Sequence, residues 1–215
     1  HERFEHISHD RRITESIPDW LDELGEKELG TRWPRELHAL NEEAHVYLRV
    51  NTLKTTRQNL QGELADDEVF TKAVSGIPDA LRLEERQNIF GLPQFKNGLF
   101  EVQDAGSQLI APFLNVEPGH RVIDACAGGG GKTLHLAALM HNKGRIIALD
   151  TEAWKLEELK KRARRAGAST IEPRVIESSK TIKRLENSAD RLLLDVPCSG
   201  LGVLKRNPDA KWKLS

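Results

Sequence analysis

Val122-Ile123-Asp124-Ala125-Cys126-Ala127-Gly128-Gly129-Gly130-Gly131-Lys132-Thr133 is the stretch that decides the fold. An apolar run typical of a buried strand ends in four consecutive glycines, and a helical pattern follows over Thr133–His141. Glycines at a strand-to-helix turn let a ligand approach the backbone, and the first turn of the helix offers free N–H groups. A tight turn without a ligand is the plainer account. Four glycines in a row carry a large conformational-entropy cost, which weighs against it.

Two ligand classes compete for this loop. Gly131-Lys132-Thr133 invites a phosphate-loop reading, with Asp195 as a strand-end magnesium aspartate. That pattern needs a Gly five residues before its Gly-Lys pair, and Cys126 stands there. The next predicted strand, Arg145–Asp150, ends instead in an acid about 20 residues on, which suits the ribose hydroxyls of an adenosine cofactor. The plainer role for Asp150 is that of an acid at the start of the following helix.

A second segment, Leu194-Asp195-Val196-Pro197-Cys198-Ser199-Gly200, follows the strand predicted over Arg191–Val196. It puts a carboxylate and a thiol at the C-terminal edge of a parallel strand, where ligands bind in open α/β sheets. A cysteine there is a nucleophile if its pKa is lowered. A lone Cys is more often a small buried apolar residue; the flanking Asp195, Pro197 and Ser199 favour function.

Working outward, strand–helix alternation covers everything from Gln103 onward. A helix is predicted over Ala105–Leu114, then strand Arg121–Ala125, the glycine turn, strand Arg145–Asp150, helix Glu152–Ala166 and strands Ile171–Ile176 and Arg191–Val196. This order implies an open parallel sheet. Ahead of it, Val46–Asn51 alternates as a strand, Thr55–Leu64 reads as a helix, and short strands are predicted at Phe70–Val74, Ala80–Leu83 and Leu99–Val102. Residues 1 to about 44 read as polar helices, entered at Pro18 and at Trp33-Pro34. The expected organisation is a helical segment over 1–44, a small α+β module over 45–103 and a cofactor-binding domain over 104–215.

The composition is that of a water-soluble globular chain: 38% hydrophobic and 30% charged residues. No apolar run approaches the ~18–20 residues that span a bilayer, so no membrane partner is expected. Two cysteines are too few for a disulfide framework, which points to reduced thiols and a cytoplasmic protein. No metal site is expected. The net charge of -1 conceals an asymmetry of -9 through Pro118 and +8 from Gly119 onward. A polyanion is therefore expected on the back half, with Lys205 and Arg206 near the ligand edge and Lys211 and Lys213 beyond. The basic residues of the Glu152–Ala166 helix interleave with Glu157 and Glu158 and read as a solvated face.

Asp124-Ala125-Cys126-Ala127-Gly128-Gly129-Gly130-Gly131-Lys132-Thr133 resembles the motif Asp-x-Cys-Ala-Ala-Pro-Gly-Gly-Lys-Thr. Asp195-Val196-Pro197-Cys198-Ser199-Gly200 resembles Asp-x-Pro-Cys-Ser, continued by Arg206-Asn207-Pro208-Asp209. Both belong to the Fmu (Sun) group of ribosomal-RNA cytosine carbon-5 methyltransferases, within the NOL/NOP/Sun superfamily. Phe100–Gln108 is similar to the stretch that precedes the cofactor fold in that group.

The resemblance implies a Rossmann-like methyltransferase α/β sheet, incomplete here, preceded by an RNA-recognition-like module. It implies S-adenosylmethionine as cofactor, held by Cys126, Ala127, Gly128, Gly129, Gly130, Gly131 and Lys132, with Asp150 on the ribose and Asp195 beside cofactor and base. The implied activity is methyl transfer to carbon 5 of cytosine in small-subunit ribosomal RNA, with Cys198 assisting product release or serving as a fallback nucleophile.

The chain departs from the pattern in three places. Gly128-Gly129 replaces the Ala-Pro pair. Ile176 stands where the adenine-side aspartate is expected, with Glu177 the nearest acid. The Thr-Cys motif that supplies the attacking thiolate is expected beyond Ser215, which makes the 215-residue chain inactive by itself. Two rival readings remain: a non-catalytic RNA- or cofactor-binding fragment, and a P-loop nucleotide hydrolase.

Overall fold

The computed structural model describes residues 10–214; the part of the helical expectation that falls on residues 1–9 lies outside them. The described residues form two compact units, one over 45–196 and the other over 10–44 with 197–214.

The larger unit holds two four-stranded sheets. The first is antiparallel and is built from β1 (Tyr47–Val50), β2 (Thr71–Ala73), β3 (Ala80–Leu83) and β4 (Phe100–Val102), in the order β2-β3-β1-β4. A helix, Arg57–Asp66, joins β1 to β2 and starts where the Thr56 hydroxyl caps the Asn59 N–H. A single turn, Pro93–Lys96, precedes β4. This is a split β-α-β arrangement whose second helix is reduced to one turn. Alternation puts Leu48, Val50, Leu81 and Phe100 into one core with Leu60 and Leu64 of the helix. The opposite face carries Arg49 and Glu101, which stand directly across from each other in the β1–β4 ladder.

The second sheet is parallel: β5 (Arg121–Asp124), β6 (Arg145–Asp150), β7 (Ile171–Val175) and β8 (Arg191–Leu193), in the order β7-β6-β5-β8. Helices Gly131–Leu139 and Ala153–Ala166 cover one face, where Val122, Ile146 and Ala148 meet Leu134, Leu136, Leu156 and Leu159. Ile123, Ile147 and Leu149 on the other face pack with Leu185. Beside them an apolar cavity of about 730 Å³ is lined by Leu149, Ile176, Leu192 and Leu194 among others.

Three expected elements are corrected. The helix predicted over Ala105–Leu114 is two short helices, Ala105–Gln108 and Ile110–Phe113. Pro112 has no N–H to give the Gln108 carbonyl, so the ladder breaks between them. The helix after the glycine loop begins at Gly131, two residues earlier than predicted, because Gly130 in the left-handed region at φ 85° forms its N-cap. The last strand covers only Arg191–Leu193, and Leu194 and Val196 beyond it are exposed. Helix Ser179–Lys183 was not anticipated.

In the smaller unit, helices Asp19–Leu29 and Trp33–Asn41 pack through Ile17, Leu21, Trp33 and Leu37, with Leu204 in the same cluster. Gly25 leaves room for the Trp33 indole, which a Cβ would overlap at 2.2 Å. The Trp33 indole N–H donates to Asp22 at 2.7 Å. Helix Ala210–Lys213 lies near the end of the described chain.

Candidate functional site

Strand β5 delivers its last residue, Asp124, into the core, where the Thr133 hydroxyl donates to it at 2.7 Å. Burial pushes the Asp124 carboxyl above its ordinary value, with the hydroxyl acting against that rise. The turn between these two residues is the glycine loop. Gly128 and Gly130 sit at φ 54° and 85°, in the left-handed region that favours glycine. A Cβ on Gly130 would also strike the Leu159 side chain at 2.7 Å, whereas the space in front of Gly128 is open. The loop is therefore packed against helix Ala153–Ala166 at one glycine and free to receive a ligand at another.

Strand β6 ends beside this loop. Asp150, 9% exposed, accepts the Gly128 N–H at 2.9 Å through Oδ2 and the Glu152 N–H at 2.9 Å through Oδ1. The second bond is the helix-start role; the first ties the carboxylate to the loop. Lys155 adds a longer ion pair at 3.9 Å. Ile176, just after β7, donates its N–H to the Asp150 carbonyl and lines the apolar cavity with Cys126 and Leu149, while Glu177 is exposed. Asp195 follows β8 and pairs with Lys132 at 2.5 Å.

Cys126, Ala127, Gly128, Gly129, Gly130, Gly131, Lys132, Asp150 and Asp195 are thus brought to the C-terminal edge of one parallel sheet. Burial, with Asp124, Asp150 and Asp195 nearby, raises the Cys126 thiol, which disfavours its thiolate. Lys132 pairs with Asp195 and the Thr133 hydroxyl with Asp124, contacts that a phosphate-loop lysine and hydroxyl would have to exchange for a phosphate and its magnesium.

The remaining expected site residues belong to the smaller unit. Cys198 is exposed. Lys205 pairs with Glu42 at 3.0 Å. Lys211, expected among the phosphate-contacting residues, is buried instead; its ammonium contacts the Asn41 side chain at 3.2 Å, and burial lowers its pKa. Desolvation of that kind removes it from any surface patch.

Two residues to which the sequence assigns no site role, Arg49 and Arg162, bond to the loop directly. Arg49 donates to the Gly131 carbonyl and to the Gln103 side chain. Arg162 donates to the Gly129 carbonyl at 2.7 Å and to Glu101 at 2.9 Å, and Arg165 donates to Glu101 at 2.6 Å. Two arginines of the supposedly solvated helix face are therefore turned inward, onto a carboxylate that is 3% exposed. Arg49 falls at the polar place of an ordinary apolar/polar alternation, so nothing local in the sequence marks it.

Among the described residues, no helix is long and apolar enough to cross a membrane.

Comparison with known proteins adds independent findings. Residues 111–215 match the family model described as 16S rRNA methyltransferase RsmB/F, and residues 17–90 match the ferredoxin-like domain of RsmF/B-like methyltransferases. The chain is 41% identical over 203 residues to a probable ribosomal RNA small subunit methyltransferase B of Synechocystis, covering 92% of this chain and 45% of that protein. It is 37% identical to the Bacillus subtilis protein of the same description, covering 77% and 37% respectively. The chain thus spans less than half the length of these relatives. The crystal structure of PH0851 superposes with a TM-score of 0.89 at 32% identity, covering 95% of this chain and 46% of that one.

Proposed function

Since the chain belongs to the RsmB/F family of 16S ribosomal-RNA methyltransferases, we propose that its glycine loop and Asp150 hold S-adenosylmethionine for methyl transfer to carbon 5 of a cytosine in small-subunit ribosomal RNA. The observation that carries this reading is the Asp150 carboxylate bonded to the loop at Gly128, beside open space at that glycine. An acid at the end of the second strand suits a ribose and repels a triphosphate. Gly128 and the start of helix Gly131–Leu139 supply the close backbone approach, and Ile176 offers an apolar surface for the adenine.

Bound there, the cofactor supplies an electrophilic methyl group. The chain's own residues orient it. Asp195, paired with Lys132, is assigned to accept a hydrogen bond from the base or the cofactor. Cys198, by its Pro-Cys motif, is assigned to product release, with a fallback role as nucleophile. The ferredoxin-like domain, with Lys205 and Arg206, is assigned to RNA, and the protein to the cytoplasm, where ribosomal RNA is its substrate.

Attack on carbon 6 of cytosine requires a thiolate against the ring. The 215 residues contain two cysteines, and the Cys126 thiol is raised by burial. With Cys198 assigned to product release, neither of these cysteines is assigned the attack, and a polypeptide of these 215 residues is expected to bind cofactor and RNA without turnover. The test is transfer of labelled methyl from S-adenosylmethionine to unmodified small-subunit ribosomal RNA, with Cys198→Ser alongside. Background-level transfer in both fits the assignment. Robust transfer lost in Cys198→Ser would make Cys198 the nucleophile.

A further inference from the structure

On the polar face of the antiparallel sheet, the central strand β1 and the edge strand β4 beside it direct charged groups toward the glycine loop. Arg49 on β1 and Glu101 on β4 stand opposite each other in the ladder. Both are buried, as is Gln103 at the end of β4. The Arg49 guanidinium reaches the Gly131 carbonyl while Gln103 accepts from it. Gln103 is held in turn by Ser107, whose hydroxyl lies 3.1 Å from its amide. Glu101 grips Arg162 and Arg165 together; Arg165 stacks over Phe95 at 4.0 Å, and Arg162 reaches the Gly129 carbonyl.

A buried carboxylate with two guanidinium partners is expensive to desolvate and is a poor device for stability alone. Such a network fixes direction: the Gly131 carbonyl is drawn toward Arg49 of the sheet, and the Gly129 carbonyl toward Arg162 of helix Ala153–Ala166, which Glu101 of the sheet holds.

We infer that Arg49 and Arg162, set by Gln103 and Glu101, are positioning residues that hold the glycine loop in its ligand-ready shape, so that this face of the ferredoxin-like domain serves the cofactor site. The inference rests on the cofactor reading above. A loop of four glycines otherwise samples many shapes, and ordering it beforehand lowers the cost of binding.

The structure supplies its own control. Lys54 donates to the Arg165 and Asn97 carbonyls. It thus holds the same sheet domain against the C-terminus of the same helix without touching the loop.

Titration calorimetry of the chain with S-adenosylhomocysteine is the experiment, with thermal midpoints measured for every variant. Arg162→Met is expected to weaken binding about tenfold or more, which corresponds to about 1.4 kcal/mol. Arg162→Lys is expected to restore part of the loss, and Lys54→Ala to stay within about twofold of wild type, the range of an exposed ion-pair or hydrogen-bond contact. Glu101→Gln, which keeps the shape and removes the charge, should weaken binding in the same direction and gives a second reading if Arg162→Met fails to fold. Unchanged affinity in Arg162→Met or Glu101→Gln, or an equal loss in Lys54→Ala, overturns the inference. A wild-type chain that binds no S-adenosyl compound overturns the cofactor reading itself.

Discussion

The Asp150 carboxylate accepts the backbone N–H of Gly128 at 2.9 Å, so the end of the second parallel strand is joined to the loop that leaves the first. Its other oxygen accepts the Glu152 N–H. A side chain positioned for a ligand hydroxyl is thereby part of the local scaffold.

Removing it should cost stability as well as affinity. Asp150→Ala leaves two backbone donors without partners and is expected to destabilise the chain by about 1–3 kcal/mol. Asp150→Asn, which keeps one acceptor oxygen, should lose less. Urea denaturation of both variants checks this; equal loss would place the effect in charge and not in the acceptors.

Gly130 and Gly128 share a backbone region but not a neighbourhood. Gly130→Ala combines a left-handed φ with overlap against Leu159 and should cost at least about 2–3 kcal/mol. Gly128→Ala meets nothing within 4 Å and should cost about 1–2 kcal/mol. Denaturation midpoints in the reverse order would contradict the packing described for the loop.

That contrast also shows how far the sequence could be read. Strand β6, the Pro18 and Trp33-Pro34 helix entries and the glycine turn were legible, because apolar periodicity, Pro and Gly are local signals. Asp150 was legible by its place at the end of β6, whereas Asp195, expected within the last strand, lies two residues past it. The break at Leu109 was foreshadowed by Pro112 and missed. Arg49, Glu101 and Arg162 were not legible. Their partners are 61 residues apart for Glu101–Arg162 and 82 for Arg49–Gly131, and no local pattern marks a contact of that span. Lys211 reads as a surface cation, but its chain packing buries it.

His135 gives the fold an acid limit. Burial, reinforced by Arg49, pulls its pKa down to about 3. The folded chain keeps it neutral while the unfolded chain protonates near the ordinary 6.5, so stability is full above 6.5 and is lost as pH falls toward 3. By pH 5 the loss is about 2 kcal/mol. Asp124 works in the other direction, because its raised pKa means protonation relieves a buried charge. Urea unfolding at pH 7.5 and pH 5 should show the loss in wild type and a reduced one in His135→Gln. An equal loss in both would assign it elsewhere.

RNA affinity is expected to fall steeply with salt, as counterion release requires. Lys205→Ala with Arg206→Ala should flatten the slope by about 1–2 in log–log terms. Lys211→Ala should leave it unchanged, because that side chain is buried. Filter binding across a salt series decides between them, and a slope carried by Lys211 would contradict its buried placement.

The central claim is that the loop between Cys126 and Lys132, with Asp150, is an S-adenosylmethionine site. Its most direct test is titration calorimetry of the wild-type chain and Asp150→Ala against S-adenosylhomocysteine and, separately, against ATP with magnesium. The expected result is S-adenosylhomocysteine binding weakened by about 1–3 kcal/mol in Asp150→Ala and no comparable binding of ATP. Tight ATP binding with none of the S-adenosyl compound would contradict the account.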